Sequence, residues 1–135
     1  MSAPPQSAAQ LVDRVRFGTD GLVPVVVTDC HTLRLLVLCY MNREALAKTL
    51  AEGLVHTYSR SRGRLALKGE TSGHVQAVRQ IRVNCDGNSL EVRVEQKVGA
   101  CHTGHYSCFY RHWDPDRGDW VVDEDQVFDP DCVYT

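Results

Sequence analysis

No apolar run in this 135-residue chain approaches the roughly 20 residues that a membrane-spanning helix needs, so no membrane partner is expected. The opening MSAPPQSAAQ lacks the basic region and apolar block of a signal peptide. The expectation is therefore a cytoplasmic protein in a reducing compartment, where six cysteines serve as core residues, metal ligands or nucleophiles rather than as three disulfides. An excess of charge of one sign is missing too. The net charge of −2 argues against nucleic acid as a partner, which would call for a broad basic surface. There is no CxxC pair, no GxxxxGK[ST] phosphate loop and no internal repeat.

What is present is ordinary for a globular domain: 43% hydrophobic and 24% charged residues, in a length that suits a single domain. Residues 1–16 are read as a flexible N-terminal tail, rich in Pro, Ser, Ala and Gln, and residues 17–135 as the folded domain. Residues 22–28 (LVPVVVT) are β-branched and read as a strand, with Pro24 placing it at an edge or early in its run. Residues 33–40 (LRLLVLCY) read as a strand buried on both faces. One helix stands out, with Asn42 as N-cap, Glu44 in the first turn, Gly53 as the stop, and Ala45, Leu46, Thr49 and Leu50 on its inner face.

Strand character returns at residues 54–59, and residues 60–73 read as an extended basic loop. Residues 75–83 and 90–94 frame Asp86-Gly87 as a hairpin. The CHTGHYSC segment follows as a loop, and short strands are expected at 120–122 and 126–128. The fold class is α+β, mostly antiparallel strands with one main helix.

Two constellations carry chemistry. Cys85, Cys101 and Cys108 lie in turn and loop sequence, beside Gly, Asn, Thr and His, where small apolar filler is out of place. Three thiolates are too few for a closed structural zinc site and leave a fourth position open, the arrangement of catalytic zinc. His102 is then placed to move protons, and His105 is a candidate fourth ligand or second acid. Solvated loop histidines and core cysteines are the competing readings. The second constellation is SRSRGR…KGETSGH, residues 59–74. Its candidate substrate-binding residues are Ser59, Arg60, Ser61, Arg64, Lys68, Thr71, Ser72 and Gly73, with Arg62 adding charge and Gly69 backbone access. Positive charge, hydroxyls and glycine together suit a phosphate, although a solvated basic loop has the same composition. Glu70, a carboxylate among such groups, points to catalysis or a second metal.

MNREAL (41–46), YSRSRGRL (58–65), KGETSGH (68–74), the NCDGN region and GACHTGHYSCFYR (99–111) together resemble phosphoribosyl-AMP cyclohydrolase, which opens an adenine ring during histidine biosynthesis. The match runs in order from about Asp20 to Arg111, and the tail FDPDCVY is similar to some members. The resemblance implies a cyclohydrolase-type fold, a nucleotide substrate, and a homodimer with zinc at the interface. Cys85 of one chain would meet Cys101 and Cys108 of its partner. It also implies catalytic roles for His102, Glu70 and Lys68, and attack at C6 that breaks the N1–C6 bond of 1-(5-phosphoribosyl)-AMP.

Three positions depart from the family pattern. Where the family has DCDxD, associated with Mg²⁺, this chain has Asn84-Cys85-Asp86-Gly87-Asn88, so Asp86 alone remains as a magnesium ligand. Neutral amides in place of two carboxylates weaken a hard-cation site. The tryptophan of RLWxKGETSG is Ala66 here, which removes a flat apolar surface. The expectation is retained zinc chemistry with magnesium lost or altered. The competing readings are a paralogue that hydrolyses or deaminates another N-heterocyclic nucleotide, and a non-catalytic zinc-stabilised nucleotide-binding domain.

Overall fold

Valine dominates the strand at the centre of the molecule. In the computed structural model, which describes residues 8–133, β1 (Val23–Asp29) seals Val23, Val25 and Val27 in the core, as the two-residue period of a strand requires. Pro24 falls before the register with its parallel neighbour begins at Val25, so its missing amide costs that ladder nothing. β2 (Leu35–Met41) returns antiparallel, Val23 opposite Met41. It is one of the two edge strands of the sheet and is not buried on both faces as its sequence reads: Leu36 and Met41 are sealed while Leu38 is 49% exposed. An unbroken apolar run shows that neither face needs water, not that both are covered.

The helix forms as its sequence dictates. α2 (Arg43–Glu52) starts where the Asn42 side chain accepts the Ala45 amide at 2.8 Å. It stops at Gly53, whose φ of 72° is the left-handed cap that glycine adopts without strain. Ala45, Leu46 and Thr49 are its buried residues, and Thr49 Oγ1 also accepts the amide of His56 at 2.9 Å, joining the helix to β3 (His56–Ser59).

β3 does not lead into a long loop. It turns over residues 60–63 into β4 (Arg64–Leu67), antiparallel to it. The basic residues hide a short alternation in which Leu65 packs against the core. β5 (Gln76–Val83) and β6 (Leu90–Gln96) form the expected hairpin around Gly87. β6 then pairs in parallel with β1, giving the order β2-β1-β6-β5. A second hairpin, β7 (Arg111–Asp114) with β8 (Asp119–Val122), stands largely exposed. Residues 126–128 form no strand: Gln126 makes a single bridge to His105, ahead of the short α3 (Pro130–Val133). The class is α+β with mostly antiparallel strands.

Within the segment read as a flexible tail, residues 8–13 form α1 (Ala8–Asp13), and Val12 and Val15 are buried in the main core. Its Pro, Ser and Ala content reads as disorder, but Leu11, Val12, Val15 and Phe17 supply enough apolar surface to dock it. Residues 1–7 lie outside the described residues. The following turn is tied down by the Arg16 amide, which donates to Gly87 O at 2.8 Å.

Across the parallel seam, Thr28 Oγ1 donates to Glu91 Oε2 at 2.8 Å, and Arg93 Nε reaches the same oxygen at 3.2 Å. The Thr28 hydroxyl foremost, and then Arg93, hold the Glu91 carboxyl below its usual value against the opposing effect of burial. Stability from a depressed carboxylate is present above the ordinary glutamate value and is lost as pH falls through the lowered one. Thr28→Val is therefore expected to cost about 1–2 kcal/mol in urea denaturation at pH 7. That gap should close towards pH 3; an equal gap at both pH values would show that the ionised carboxylate is not what the hydroxyl stabilises.

Candidate active site

A cleft of about 200 Å³ opens where the β3–β4 hairpin meets the loop after β6, and the 68–73 turn forms one wall. The turn closes on its own backbone: Glu70 N donates to Leu67 O at 3.1 Å and Gly73 N to Gly69 O at 2.7 Å. Gly69 has a φ of 90°, and a Cβ there would come within 2.7 Å of the His74 carbonyl, so only glycine fits. The amides of Gly69, Thr71 and Ser72 have no backbone acceptor among the described residues, which leaves three donors in one turn for an anion.

Lys68, Glu70, Thr71 and Ser72 line this cleft, and so does Ala66. Arg64 Nη2 reaches Glu70 Oε1 at 3.0 Å, joining a basic residue of the hairpin to the cleft carboxylate. Ser59, Arg60 and Ser61 lie at the opposite end of the hairpin, outside the cleft lining. There Ser59 Oγ sits 3.3 Å from Ser61 Oγ, and the Arg60 guanidinium lies 4.1 Å over the Tyr40 ring. Gly73 closes the turn without lining the cleft.

Lys68 connects the cleft to the thiols. Its ammonium donates to Ala100 O at 2.9 Å, one residue before Cys101, and its charge acts on both Cys39 and Cys108. Cys101 is buried, and its thiol acts electrostatically on that of Cys108. Burial pushes the Cys108 thiol up to about 12; Cys101 beside it adds to the rise and the Lys68 ammonium opposes it. Burial likewise lifts Cys39 to about 12. A cation that binds this pair must displace thiol protons, which makes binding stronger as pH rises.

Second-layer contacts hold the thiol loop in place. Thr103 Oγ1 lies 2.9 Å from Cys101 Sγ and 2.9 Å from His105 Nδ1, and the His105 ring stacks on Tyr110 with centroids 3.6 Å apart. His105 is thereby occupied in supporting the loop. His102, in the turn after Cys101, is exposed to solvent.

Ser107 Oγ donates to Leu35 O at 2.7 Å, and Cys108 N donates to Leu36 O at 2.7 Å. The Tyr106 hydroxyl donates to Asp29 and lies 2.9 Å from Thr32 Oγ1. Burial acts to raise the Asp29 carboxyl, but the bonds from Tyr106 and from the His31 and Thr32 amides outweigh it and leave it low.

Cys85 is elsewhere. It sits exposed in the β5–β6 turn, at the start of β6, whereas Cys101 follows its end. The seven residues of β6 put about 20 Å between the two ends. Among the described residues the three cysteines do not converge as a ligand group within one chain, although as a donor set they suit zinc.

The same turn does not suit magnesium. Asn84 Nδ2 donates to Asn88 Oδ1 at 2.7 Å, while Asn84 Oδ1 accepts the amides of Asn88 at 2.9 Å and Ser89 at 3.1 Å. Two neutral amides bonded to each other close the turn, and Asp86 is left as its one carboxylate.

Among the described residues, one group of metal-binding type does converge within the chain: Cys30, His31 and Glu95. Cys30 and His31 read in sequence as a polar turn between strands, and no periodicity links them to Glu95. The Tyr106–Asp29 contact is equally hidden, because its partners stand 77 positions apart.

The family profile described as phosphoribosyl-AMP cyclohydrolase matches residues 37–110. A protein of that name from Salinibacter ruber is 47% identical over 124 residues, 92% of this chain and 96% of that one. Its namesake from Methanocella arvoryzae is 52% identical over 115 residues, 85% of this chain and 92% of the relative. A third, from Burkholderia vietnamiensis, is 44% identical over 137 residues and covers 99% of both chains. The matched region spans the cleft, the amide-closed turn and the thiol loop, and the chain belongs to the phosphoribosyl-AMP cyclohydrolase family, hydrolases that act on a cyclic amidine.

Proposed function

We propose that this chain hydrolyses the N1–C6 bond of 1-(5-phosphoribosyl)-AMP, as a cytoplasmic zinc-dependent homodimer of histidine biosynthesis. The observation that carries this reading is the thiol pair Cys101–Cys108 beside Lys68 at the edge of an anion-accepting cleft, with the third thiol in the turn before β6 and the pair in the loop after it. A second copy supplies the missing cysteine: Cys85 of one protomer completes the set with Cys101 and Cys108 of the other. The outer face of β2 with Leu38, and Trp113 and Trp120 on the β7–β8 hairpin, offer exposed apolar surface for that copy.

In this reaction water oxygen bonds to C6, the N1–C6 bond breaks, N1 takes a proton, and C6 becomes a carboxamide carbon. N1-alkylation withdraws electron density from C6 and makes it electrophilic. Cys85, Cys101 and Cys108 would hold zinc, which when bound would supply the Lewis acidity that makes water a usable nucleophile near neutral pH. His102, exposed next to Cys101, takes the proton from the attacking water and returns one to N1. The amides of the 68–73 turn, with Thr71 and Ser72, hold a substrate phosphate. Lys68 and Arg64 balance its charge, and Glu70 is kept in place by Arg64. Ser59, Arg60 and Ser61, at the far end of the same basic hairpin, and Gly73, which closes the turn, complete the proposed substrate-binding set.

Three outcomes test this. Purified zinc-loaded protein is expected to open the ring of phosphoribosyl-AMP, followed by absorbance, and Cys101→Ala to abolish turnover. Cys85→Ser and Cys101→Ala should each be inactive alone yet recover activity when refolded as a mixture, since mixed dimers regain one intact cysteine set; no recovery would mean that the site is not shared. Added Mg²⁺ should leave turnover of the natural chain unchanged but stimulate Asn84→Asp/Asn88→Asp. Folded, zinc-containing protein without turnover on this nucleotide would favour a paralogue with a retuned pocket, for which Ala66 in the cleft lining is the supporting observation.

A further inference from the structure

We propose that Cys30, His31 and Glu95 form a second metal site, one that takes Zn²⁺ or a similar borderline-soft divalent ion within a single chain. The parallel register of β1 with β6 sets Asp29 beside Val94, so Cys30 and Glu95 follow as neighbours on the outer side of the sheet while Val94 faces the core. Cys30 is fixed there by its amide, which donates to Val94 O at 2.8 Å. His31 is set by the adjoining turn, where Asp29 Oδ1 accepts its amide at 2.8 Å. A sulfur, an imidazole nitrogen and a carboxylate oxygen all lie within 4.8 Å of one another as a result.

Two of the three donors thus come from the ordered ends of adjacent strands, which limits the entropy lost on binding. Glu95 is also oriented. Arg79 Nη2 holds Oε2 at 2.8 Å, which leaves Oε1 directed at His31 Nε2, 3.3 Å away. A guanidinium on one carboxylate oxygen with the other free for a metal is the division of labour seen around ligating carboxylates. A bound cation would enter between Oε1 and the imidazole, and the Cys30 thiol proton would leave to solvent. One thiolate, one imidazole and one carboxylate suit zinc or cobalt rather than magnesium or calcium. The site is independent of the cysteine set of the proposed function. It nevertheless lies close to that loop, because Asp29 and Thr32 on either side of it hold Tyr106.

The test begins with protein dialysed until only tightly held zinc remains, followed by zinc analysis and titration with Co²⁺. The expected results are two zinc ions per chain falling to one in Cys30→Ser, or one zinc per chain plus one added Co²⁺ whose thiolate charge-transfer band is absent in Cys30→Ser. Cys101→Ser should retain that band, which separates this site from the three-cysteine centre even if the latter binds nothing. His31→Ala should weaken Co²⁺ binding without removing the folded state, checked by far-ultraviolet circular dichroism. Metal content and cobalt spectra unchanged in folded Cys30→Ser, or no cobalt–thiolate band and a single zinc in the natural chain, would overturn the proposal.

Discussion

Two carbonyls at the start of β2, those of Leu35 and Leu36, fix the position of the chemical loop. They accept Ser107 Oγ and the Cys108 amide, and these two bonds tie the CHTGHYSC segment to the sheet's edge. Loop backbone held this way keeps its polar groups satisfied and its side chains in one arrangement. The Tyr106 contact to Asp29, the Thr103 bridge between Cys101 and His105, and the Lys68 bond to Ala100 O all build on that seam. Without it the thiols would have no fixed relation to the cleft.

The 68–73 turn solves a related problem by other means. Its own carbonyls satisfy some of its amides and leave others unused, and Gly69 permits an approach to the His74 backbone that a side chain would block. The β5–β6 turn closes through side-chain amides instead, Asn84 on Asn88, with no need for a cation between them. These turns differ in charge as well: one offers donors to an anion, and the other carries a single carboxylate, Asp86, between two neutral amides.

Much of this was legible from local sequence. Asn42 and Gly53 bound a helix because capping is a local matter, and Asp86-Gly87 marks a hairpin because its turn is local too. The thiols and KGETSG stand out together as candidates only through resemblance. What escaped was decided by partners distant in sequence. The burial of Val12 and Val15 depends on a core built by β-strands far along the chain, which the composition of that segment does not announce. The exposure of Leu38 depends on which side of the sheet is left uncovered. Cys30 meets Glu95 only through a parallel register that no hairpin signal announces. The basic residues around Arg64 masked a strand because charge dominates the reading of so short a segment.

The parallel pairing of β1 with β6 also has a meaning for how the chain folds. Val25 waits for Leu90, some 65 positions later, before its ladder is complete. In a growing chain, β1 and β2 can pair early, but the valine edge of that hairpin stays open until β6 emerges. Closing so long a loop precedes any reward from the contact, so folding is expected to be limited by this one non-local event. The interval in which the edge stands open is when two incomplete chains are most apt to pair wrongly with each other.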